Sequence, residues 1–195
     1  MKGNATSGLS IALASCEFET ERLAVGHWHS MRFESSQHQE LADVIVDLLT
    51  PAVTRSLPGE WSGDYSVDRA QAWIAERDDE GVTLLALERS SRRPIGLVLL
   101  FAESADPDQG RSSADLRLGY LLGENTWGKG FASELVAGLV AWCRDHEVAS
   151  LTGGVADGNA ASARVLTKNG FRDVTDAAAV GQGERLYRLK LTADG

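Results

Sequence analysis

Residues 116–132 read LRLGYLLGENTWGKGFA, and this stretch decides how the chain folds. Alternating side chains from Leu116 to Leu122 predict a pleated strand. From Phe131 onward the apolar residues recur every four positions, which predicts a helix to Glu147. The glycines between these two elements let backbone N–H groups approach a ligand closely. A glycine loop that leads into a helix N-terminus is a ready site for a phosphate or a diphosphate.

Two classes of ligand fit such a loop. Gly123, Gly128 and Lys129 match most of the P-loop pattern of nucleoside-triphosphatases, in which the next residue is a Ser or Thr that holds magnesium. Here the next residue is Gly130, and no later strand ends in a convincing acidic partner for a metal. A P-loop nucleotide hydrolase is therefore the less favoured alternative.

Two motifs fit a different family better. Residues 127–132, WGKGFA, resemble the diphosphate loop Gln/Arg-x-x-Gly-x-Gly/Ala of the GNAT (GCN5-related) N-acetyltransferases. Residues 159–171, NAASARVLTKNGF, resemble the family's Asn-x-x-(Ala/Ser)-x-x-Leu-x-x-x-x-Gly-Phe segment. Trp127 replaces the usual Gln or Arg, as in the RimJ/RimL-like branch, and residues 20–23, TERL, resemble the opening strand of that branch. The order of the two motifs, with a helix and a strand between them, favours an acetyltransferase.

Length and composition are those of one soluble globular domain. The chain has 195 residues, of which 43% are hydrophobic and 24% charged, and no apolar run approaches the length of a membrane span. We expect residues 1–15 to form a flexible N-terminal extension and residues 16–195 to form the GNAT-like domain. The net charge of −9 argues against a general nucleic-acid binder. The only two cysteines, Cys16 and Cys143, fit buried thiols in a cytoplasmic protein.

The apolar pattern along the chain predicts an α+β fold, α/β in character, with a mixed sheet. The resemblance implies a single domain with a mostly antiparallel central sheet, flanking helices and two splayed strands at the acetyl-CoA site. Ser36 and Gln39 form a possible capping box before one helix, and Ser66 or Asp68 opens another. Asn159 is a predicted N-cap. Further strands are predicted over residues 22–28, 82–88, 95–101, 149–155, 171–174 and 185–191.

The resemblance implies acetyl-CoA as the co-substrate, bound without a metal. Its diphosphate would bind the amides of residues 127–132, and its pantetheine arm would run along the strand that ends at Leu122. The amide of Leu121 or Leu122 would then stabilise the developing oxyanion. The cofactor-binding residues predicted in this way are Tyr120, Leu121, Leu122, Trp127, Gly128, Lys129, Gly130, Phe131, Ala132, Asn159 and Ser162.

The general base is the main departure from the family pattern. Many relatives carry a Glu two residues before the Gly-Tyr pair, but here that position holds Arg117, which cannot act as a base at neutral pH. Asp115 and Glu103 are candidates that would draw a proton through water, or they are solvated carboxylates at the ends of strands. Ser162 resembles the proton donor for the leaving thiolate, or it serves its helix as a capping residue. Many relatives have a Tyr donor where this chain has Leu166, and Arg117 and Leu166 together keep open a non-catalytic acyl-CoA sensor.

The resemblance implies a primary amine as the acceptor, either a protein N-terminus or a small molecule. Transfer would be direct because no Cys–His or Ser–His nucleophile pattern is present. In the family, the region between the early helices borders the acceptor site. Glu60, Trp61, Asp64 and Tyr65 are therefore candidate acceptor-binding residues, or parts of a surface connection with buried aromatics. His27 and His29 lack a third ligand, so no metal is predicted. A homodimer is expected from the family, and neither a nucleic-acid nor a membrane partner is expected.

Overall fold

A computed structural model describes residue 13 and residues 15–33, 40–103, 114–146, 148–176 and 183–191. Within these residues the strands form one eight-stranded mixed sheet in the order β1-β2-β3-β4-β5-β6-β8-β7. The strands are β1 Phe18–Glu19, β2 Leu23–His27, β3 Val82–Glu88, β4 Pro94–Ala102, β5 Ala114–Leu122, β6 Val148–Ala156, β7 Arg172–Asp173 and β8 Glu184–Lys190. The α-helices are α1 Leu41–Leu48, α2 Pro51–Thr54, α3 Val67–Glu80, α4 Phe131–Arg144 and α5 Ala160–Lys168.

Strand direction changes at one place in the sheet. All neighbouring strands pair antiparallel except β5 and β6, which run parallel. A parallel pair needs a crossover connection, and α4 supplies it. The mixed, mostly antiparallel sheet predicted from the sequence is confirmed.

The sheet buries both of its faces in its central part. On one face, Leu116 and Leu118 of β5 pack with Leu135 and Leu139 of α4 in one apolar cluster. On the other face, residues of the opposite parity, such as Leu121, join Ile45 of α1 and Trp73 of α3 in a second cluster. This alternation follows from the two-residue period of a strand. None of the described helices is both long enough and apolar enough to span a bilayer.

Several helix ends follow the local chemistry read from the sequence. Asn159 Oδ1 accepts the backbone N–H of Ser162 at 3.1 Å and caps α5, and Gly170 ends the helix at φ +88°. Ser66 Oγ accepts the N–H of Arg69 at 3.2 Å and opens α3. Pro51 occupies the first turn of α2, where its missing N–H costs no hydrogen bond.

Other boundaries differ from the prediction. The helix α1 begins after Glu40, whose N–H donates to the Asp43 carboxylate at 3.0 Å, and the capping box expected at Ser36 and Gln39 lies outside the described residues. The helix α4 ends at Arg144 because a turn follows it, and Glu147 is also outside the described residues.

Most of the predicted N-terminal extension lies outside the described residues as well. Leu13 is described, and its side chain is buried in the α4-side cluster. The described core therefore includes a residue that precedes position 16. The predicted loops before β5 and before β8 lie largely outside the described residues, in 104–113 and 177–182.

Candidate active site

The strands β5 and β6 separate in the middle of the sheet and open a cleft. Their pairing runs from Ala114 opposite Val148 to Leu118 opposite Gly153 and stops there. Both strands continue beyond this point, held only by their outer partners β4 and β8. The cleft that opens between them has a volume of about 1060 Å³.

Backbone groups of β5 face this opening without a strand partner. The N–H of Gly123 donates to Ile95 of β4 at 2.9 Å, so residues of the same parity, Leu121 among them, direct their backbone groups toward β4. Tyr120 and Leu122 direct theirs toward the opening. Of the two oxyanion donors considered from the sequence, Leu122 therefore has its amide on the side of the cleft.

Trp127 fixes the end of this strand. Its indole Nε1–H donates to the Leu122 carbonyl at 2.8 Å, while the residue remains 50% exposed and lines the cleft. The sequence motif identified the position, but not this hydrogen bond. Trp127 thus holds the Leu122 peptide while presenting its ring to a ligand.

The glycine loop has the conformation that an anion site requires. Gly128 and Gly130 have φ values of +72° and +82°, which favour glycine, and a β-carbon on Gly128 would meet open space. Gly130 is the N-cap of α4, so the first-turn amides that follow it point out of the helix end. Phe131 and Ala132 of this turn line the cleft. This arrangement of amides and helix dipole fits a diphosphate.

Two cationic side chains that the sequence analysis did not consider line the cleft. The backbone of Lys129 belongs to the loop, but its exposed side chain is not part of the cleft wall. Arg164 and Lys168 of α5 do line it. Neither was selected from the sequence, although both lie on one helix face, four residues apart, inside the second motif.

A partly buried network of hydrogen bonds links the glycine loop to the residues that precede β2. The Glu134 carboxylate, in the first turn of α4, accepts hydrogen bonds from Thr20 Oγ1 at 2.6 Å, from the Arg22 N–H at 2.8 Å and from Arg22 Nε at 2.6 Å. Arg22 also donates through Nη1 to the Lys129 carbonyl at 3.0 Å and lies over the Phe131 ring. The TERL segment therefore tethers β2 to the glycine loop.

This network sets the protonation of Glu134. Burial alone would raise the pKa of its carboxyl group, but the hydrogen bonds from Thr20 and Arg22, together with the Arg22 charge, hold that pKa below its usual value. Glu134 is therefore a carboxylate at neutral pH.

Residues of the second motif line the same cleft as the glycine loop. Asn159 and Ser162 both line it, and the Tyr120 hydroxyl donates to the Ser162 carbonyl at 3.4 Å. Burial raises the pKa of the Tyr120 hydroxyl, so this group stays protonated. Asn159 uses its side-chain oxygen for the cap, which leaves its amide N–H₂ group for another partner.

An ion pair between β5 and β8 also lines the cleft. Arg117 Nη2 lies 3.2 Å from Glu184 Oε2, and the two side chains are 48% and 50% exposed. Both line the cleft, as does Gly154 between them. Glu184 was not predicted from the sequence, because it belongs to no motif.

The two predicted bases lie toward the closed end of the strand pair. Asp115 Oδ1 accepts a hydrogen bond from Ser150 Oγ at 2.5 Å. Glu103 forms an ion pair with Arg188 at 3.6 Å. Neither carboxylate is part of the cleft wall.

Of the four predicted acceptor-binding residues, only Trp61 lines the cleft. Glu60 and Asp64 are exposed, and their backbone carbonyls accept hydrogen bonds from Arg69 at 3.1 and 2.8 Å. Tyr65 is buried, and its hydroxyl donates to the Trp61 carbonyl at 3.2 Å. The segment therefore supplies one aromatic wall residue, and the other three shape the turn beneath it.

The remaining reactive side chains lie elsewhere. His29 Nε2 pairs with Asp78 at 2.9 Å on the surface. Cys16 and Cys143 are buried free thiols; burial raises the pKa of both, that of Cys143 to about 12. Within the described residues, no group of three or more His, Cys, Asp or Glu side chains is arranged to hold a metal ion.

Comparison with known proteins shows the family to which this chain belongs. The family model described as "Acetyltransferase (GNAT) domain" matches residues 31–172, well over half of the chain. No curated protein matches the chain by sequence.

Several solved structures share the fold. The crystal structure of the acetyltransferase (GNAT family) from Bacillus anthracis superposes with a TM-score of 0.65 at 14% identity, covering 90% of this chain and 99% of that one. For the ribosomal-protein-S5-alanine acetyltransferase from Vibrio fischeri the TM-score is 0.58 at 16% identity, with 90% and 97% covered. For yncA from Salmonella typhimurium, solved with its cofactor acetyl-CoA, it is 0.56 at 18% identity, with 88% and 95% covered.

Proposed function

Because this chain belongs to the GNAT acetyltransferase family, we propose that it transfers the acetyl group of acetyl-CoA to a primary amine by direct transfer in a ternary complex. The observation that carries the proposal is the cleft between β5 and β6, whose wall includes the glycine loop before α4 as well as Arg117, Glu184 and Trp61. Acetyl-CoA supplies an acyl group activated as a thioester. The residues of the cleft would bind and orient acetyl-CoA, stabilise the charge that develops during transfer and carry the protons that are exchanged.

The glycine loop would hold the diphosphate. The Trp127 N–H donates to the Glu124 carbonyl at 3.1 Å, so the amides from Gly128 to Ala132, with the dipole of α4, would favour an anion there. Arg164 and Lys168 add positive charge at the cleft wall. Lys129 would act as a point charge near the loop. The pantetheine arm would pair with the free backbone edge of Tyr120 and Leu122, with Leu121 behind it, and with the amide of Asn159.

Two groups would assist transfer directly. The Leu122 N–H faces the cleft and would stabilise the negative charge that develops on the carbonyl oxygen, a contribution often worth about 2.7–4 kcal/mol per donor. Ser162 would deliver a proton from Oγ to the leaving sulfur. Asp115 and Glu103 were proposed above as bases, and their places near the closed end of β5 make them less suited to that role than a carboxylate within the cleft.

The branch of the family, the acceptor, the cellular location and the oligomeric state are proposals as well. The Thr20–Arg22–Glu134 network gives the TERL segment a physical role, which supports a RimJ/RimL-like character. The acceptor would be a protein N-terminus or a small-molecule amine, with Trp61 as its aromatic neighbour. We further propose a cytoplasmic homodimer in which residues 16–195 form the catalytic domain and residues 1–15 an extension that packs Leu13 into its core.

Initial-rate kinetics test direct transfer. Thiol release would be followed while acetyl-CoA and 2-phenylethylamine, or acetyl-CoA and an alanine-initiated hexapeptide, are varied together, and mass spectrometry would identify the product. We expect an N-acetylated amine and intersecting double-reciprocal lines. Ser162→Ala should lower kcat with little change in the KM for acetyl-CoA. Parallel lines with an isolable acetyl-enzyme would contradict direct transfer.

A further inference from the structure

We propose that Glu184 receives the ammonium group of the acceptor and takes its proton, and that the acceptor is a primary amine on an apolar body. This inference rests on the proposed acetyl transfer and assigns the base that the motif position lacks. Three features of the described residues carry it: the place of the carboxylate, its tether and the wall beside it.

The Glu184 carboxylate lies where the strands part. A β-carbon at position 154 would collide with this carboxylate, so the absence of a side chain on Gly154 makes its room. Gly154 directly follows Gly153, the last residue of β6 that pairs with β5. The carboxylate thus covers the first unpaired residue of β6, at the apex of the cleft.

Arg117 holds the carboxylate in this place. It occupies the position on β5 at which the family pattern has a glutamate, and its guanidinium reaches across β6 to Glu184 at 3.2 Å. An arginine cannot accept a proton at neutral pH, but it can fix a carboxylate by a charge-assisted hydrogen bond. In this chain the proposed base therefore lies on β8 and not on β5, and the arginine at the motif position on β5 orients it.

The other carboxylates on this face are engaged elsewhere. Asp115 accepts the Ser150 hydroxyl, and Glu103 pairs with Arg188. Asp115 precedes Leu118, the last paired residue of β5, by three positions, roughly 10 Å along a strand. Within the described part of the cleft wall, Glu184 is the one carboxylate.

The wall beside the ion pair carries four apolar side chains, and Arg55 and Ser56 of the α2–α3 segment also line the cleft. Phe101 lies opposite Arg117 on β4, and Leu99 follows it on the same face of the sheet. Leu57 and Trp61, from the segment between α2 and α3, close the wall, and all four side chains line the cleft. A carboxylate at one end of an apolar surface suits an alkyl- or arylalkyl-ammonium ion.

The proton balance follows from this placement. The ammonium nitrogen gives one proton to a Glu184 carboxylate oxygen, directly or through one water, and its freed electron pair forms the N–C bond to the acetyl carbon. The C–S bond breaks with its electron pair on sulfur, and the second proton leaving nitrogen reaches that sulfur through Ser162. Glu184 then returns its proton to solvent, so that one amide, one thiol and one proton are released.

A comparison of two nucleophiles separates this role from a structural one. 2-Phenylethylamine is a cation at neutral pH and must lose a proton, whereas hydroxylamine is largely uncharged and needs no base. Glu184→Gln should lower kcat/KM for 2-phenylethylamine by about 100-fold and leave hydroxylamine turnover near the wild-type rate. Glu184→Asp should recover part of the loss, and Arg117→Gln should show a smaller loss of the same selectivity.

A matched control and a binding readout complete the experiment. Glu19→Gln removes an exposed carboxylate that pairs with Arg89 at 3.1 Å on β1, away from the cleft, and should behave as wild type with both nucleophiles. Calorimetric titration of 2-phenylethylamine into the complex with CoA should show weaker binding for Glu184→Gln and unchanged binding for Glu19→Gln.

The outcomes distinguish the two proposals. Wild-type turnover of either nucleophile above the rate without enzyme supports acetyl transfer, and its absence with both, and with the alanine-initiated hexapeptide, would overturn the proposed function together with this inference. Equal losses with both nucleophiles in Glu184→Gln, or no loss with either, would overturn the role of Glu184 alone. Loss of 2-phenylethylamine turnover in Asp115→Asn or Glu103→Gln, with Glu184→Gln unaffected, would move the base to those residues.

Discussion

At the scale of single residues, the site depends on side chains that never face the cleft. Glu134 joins Thr20 and Arg22 to the first turn of α4, and Arg22 reaches on to the carbonyl of Lys129. The Glu134–Arg22 ion pair, at 2.6 Å, is only partly exposed. It therefore keeps more of its strength than a fully solvated pair does.

The lowered pKa of Glu134 has a consequence for acid stability. A depressed folded-state pKa means that the carboxylate stabilises the fold above the unfolded-state pKa, and that this stabilisation is lost as the pH falls through the lower, folded-state pKa. We expect Glu134→Gln to have a lower Tm than wild type at pH 7, with the two values converging below about pH 4. Thermal unfolding from pH 3 to pH 8 measures this, with Glu19→Gln as a control that should track wild type. A constant Tm difference across that range would contradict it.

Individual residues were predicted unevenly from the sequence. Gly128 and Gly130 could be assigned because a positive φ and a close approach to a ligand demand glycine. Glu184 could not, because its proposed role depends on the empty space over Gly154 and on Arg117, which lies 67 residues away along the chain. Contacts of that separation leave no local pattern.

At the scale of elements, α5 combines a structural and a ligand-facing role in one residue. Asn159 Oδ1 caps the helix, and the side-chain amide N–H₂ is the group proposed to face pantetheine. Asn159→Asp keeps the oxygen acceptor and removes that donor, whereas Asn159→Ala removes both.

These two substitutions should separate the roles. We expect Asn159→Ala to destabilise the protein by about 1 kcal/mol through loss of the cap, and Asn159→Asp to retain wild-type stability. Both should bind acetyl-CoA more weakly. Urea unfolding and calorimetric titration measure the two effects separately. Wild-type affinity for acetyl-CoA in both variants would leave Asn159 with the cap alone.

Elements were predicted well where their pattern is local and periodic. The strand Val82–Glu88 and the caps at Ser66 and Asn159 agree with the structure. The helix α1 begins after Glu40, whose N–H donates to Asp43, and the Ser36–Gln39 signal upstream lies outside the described residues. The splay of β5 and β6 came from the family resemblance alone, since no propensity encodes where two strands stop pairing.

At the scale of the whole molecule, charge is distributed unevenly. The chain carries a net charge of −9, yet Arg164 and Lys168 line the cleft and Lys129 lies on the glycine loop. An acidic surface repels an anion at long range, while helix-end amides and local cations bind it at short range. The acidic balance suits a cationic amine.

The most direct test of the central claim, an acetyl-CoA site at the N-terminus of α4, is a thermal-shift titration of two isosteric variants. Gly130→Asn and Gly130→Asp both place a short side chain at φ +82°, which asparagine and aspartate tolerate better than most residues, but only Asp adds a negative charge at the diphosphate. Acetyl-CoA, CoA and Mg-ATP would each be titrated against these variants and wild type.

We expect acetyl-CoA and CoA to stabilise wild type by about 2.7 kcal/mol at a hundredfold excess over Kd. Gly130→Asn should retain most of that stabilisation, and Gly130→Asp should lose it. Stabilisation by Mg-ATP alone, or equal acetyl-CoA affinity in Gly130→Asp and Gly130→Asn, would contradict the assignment of the glycine loop to the diphosphate of acetyl-CoA.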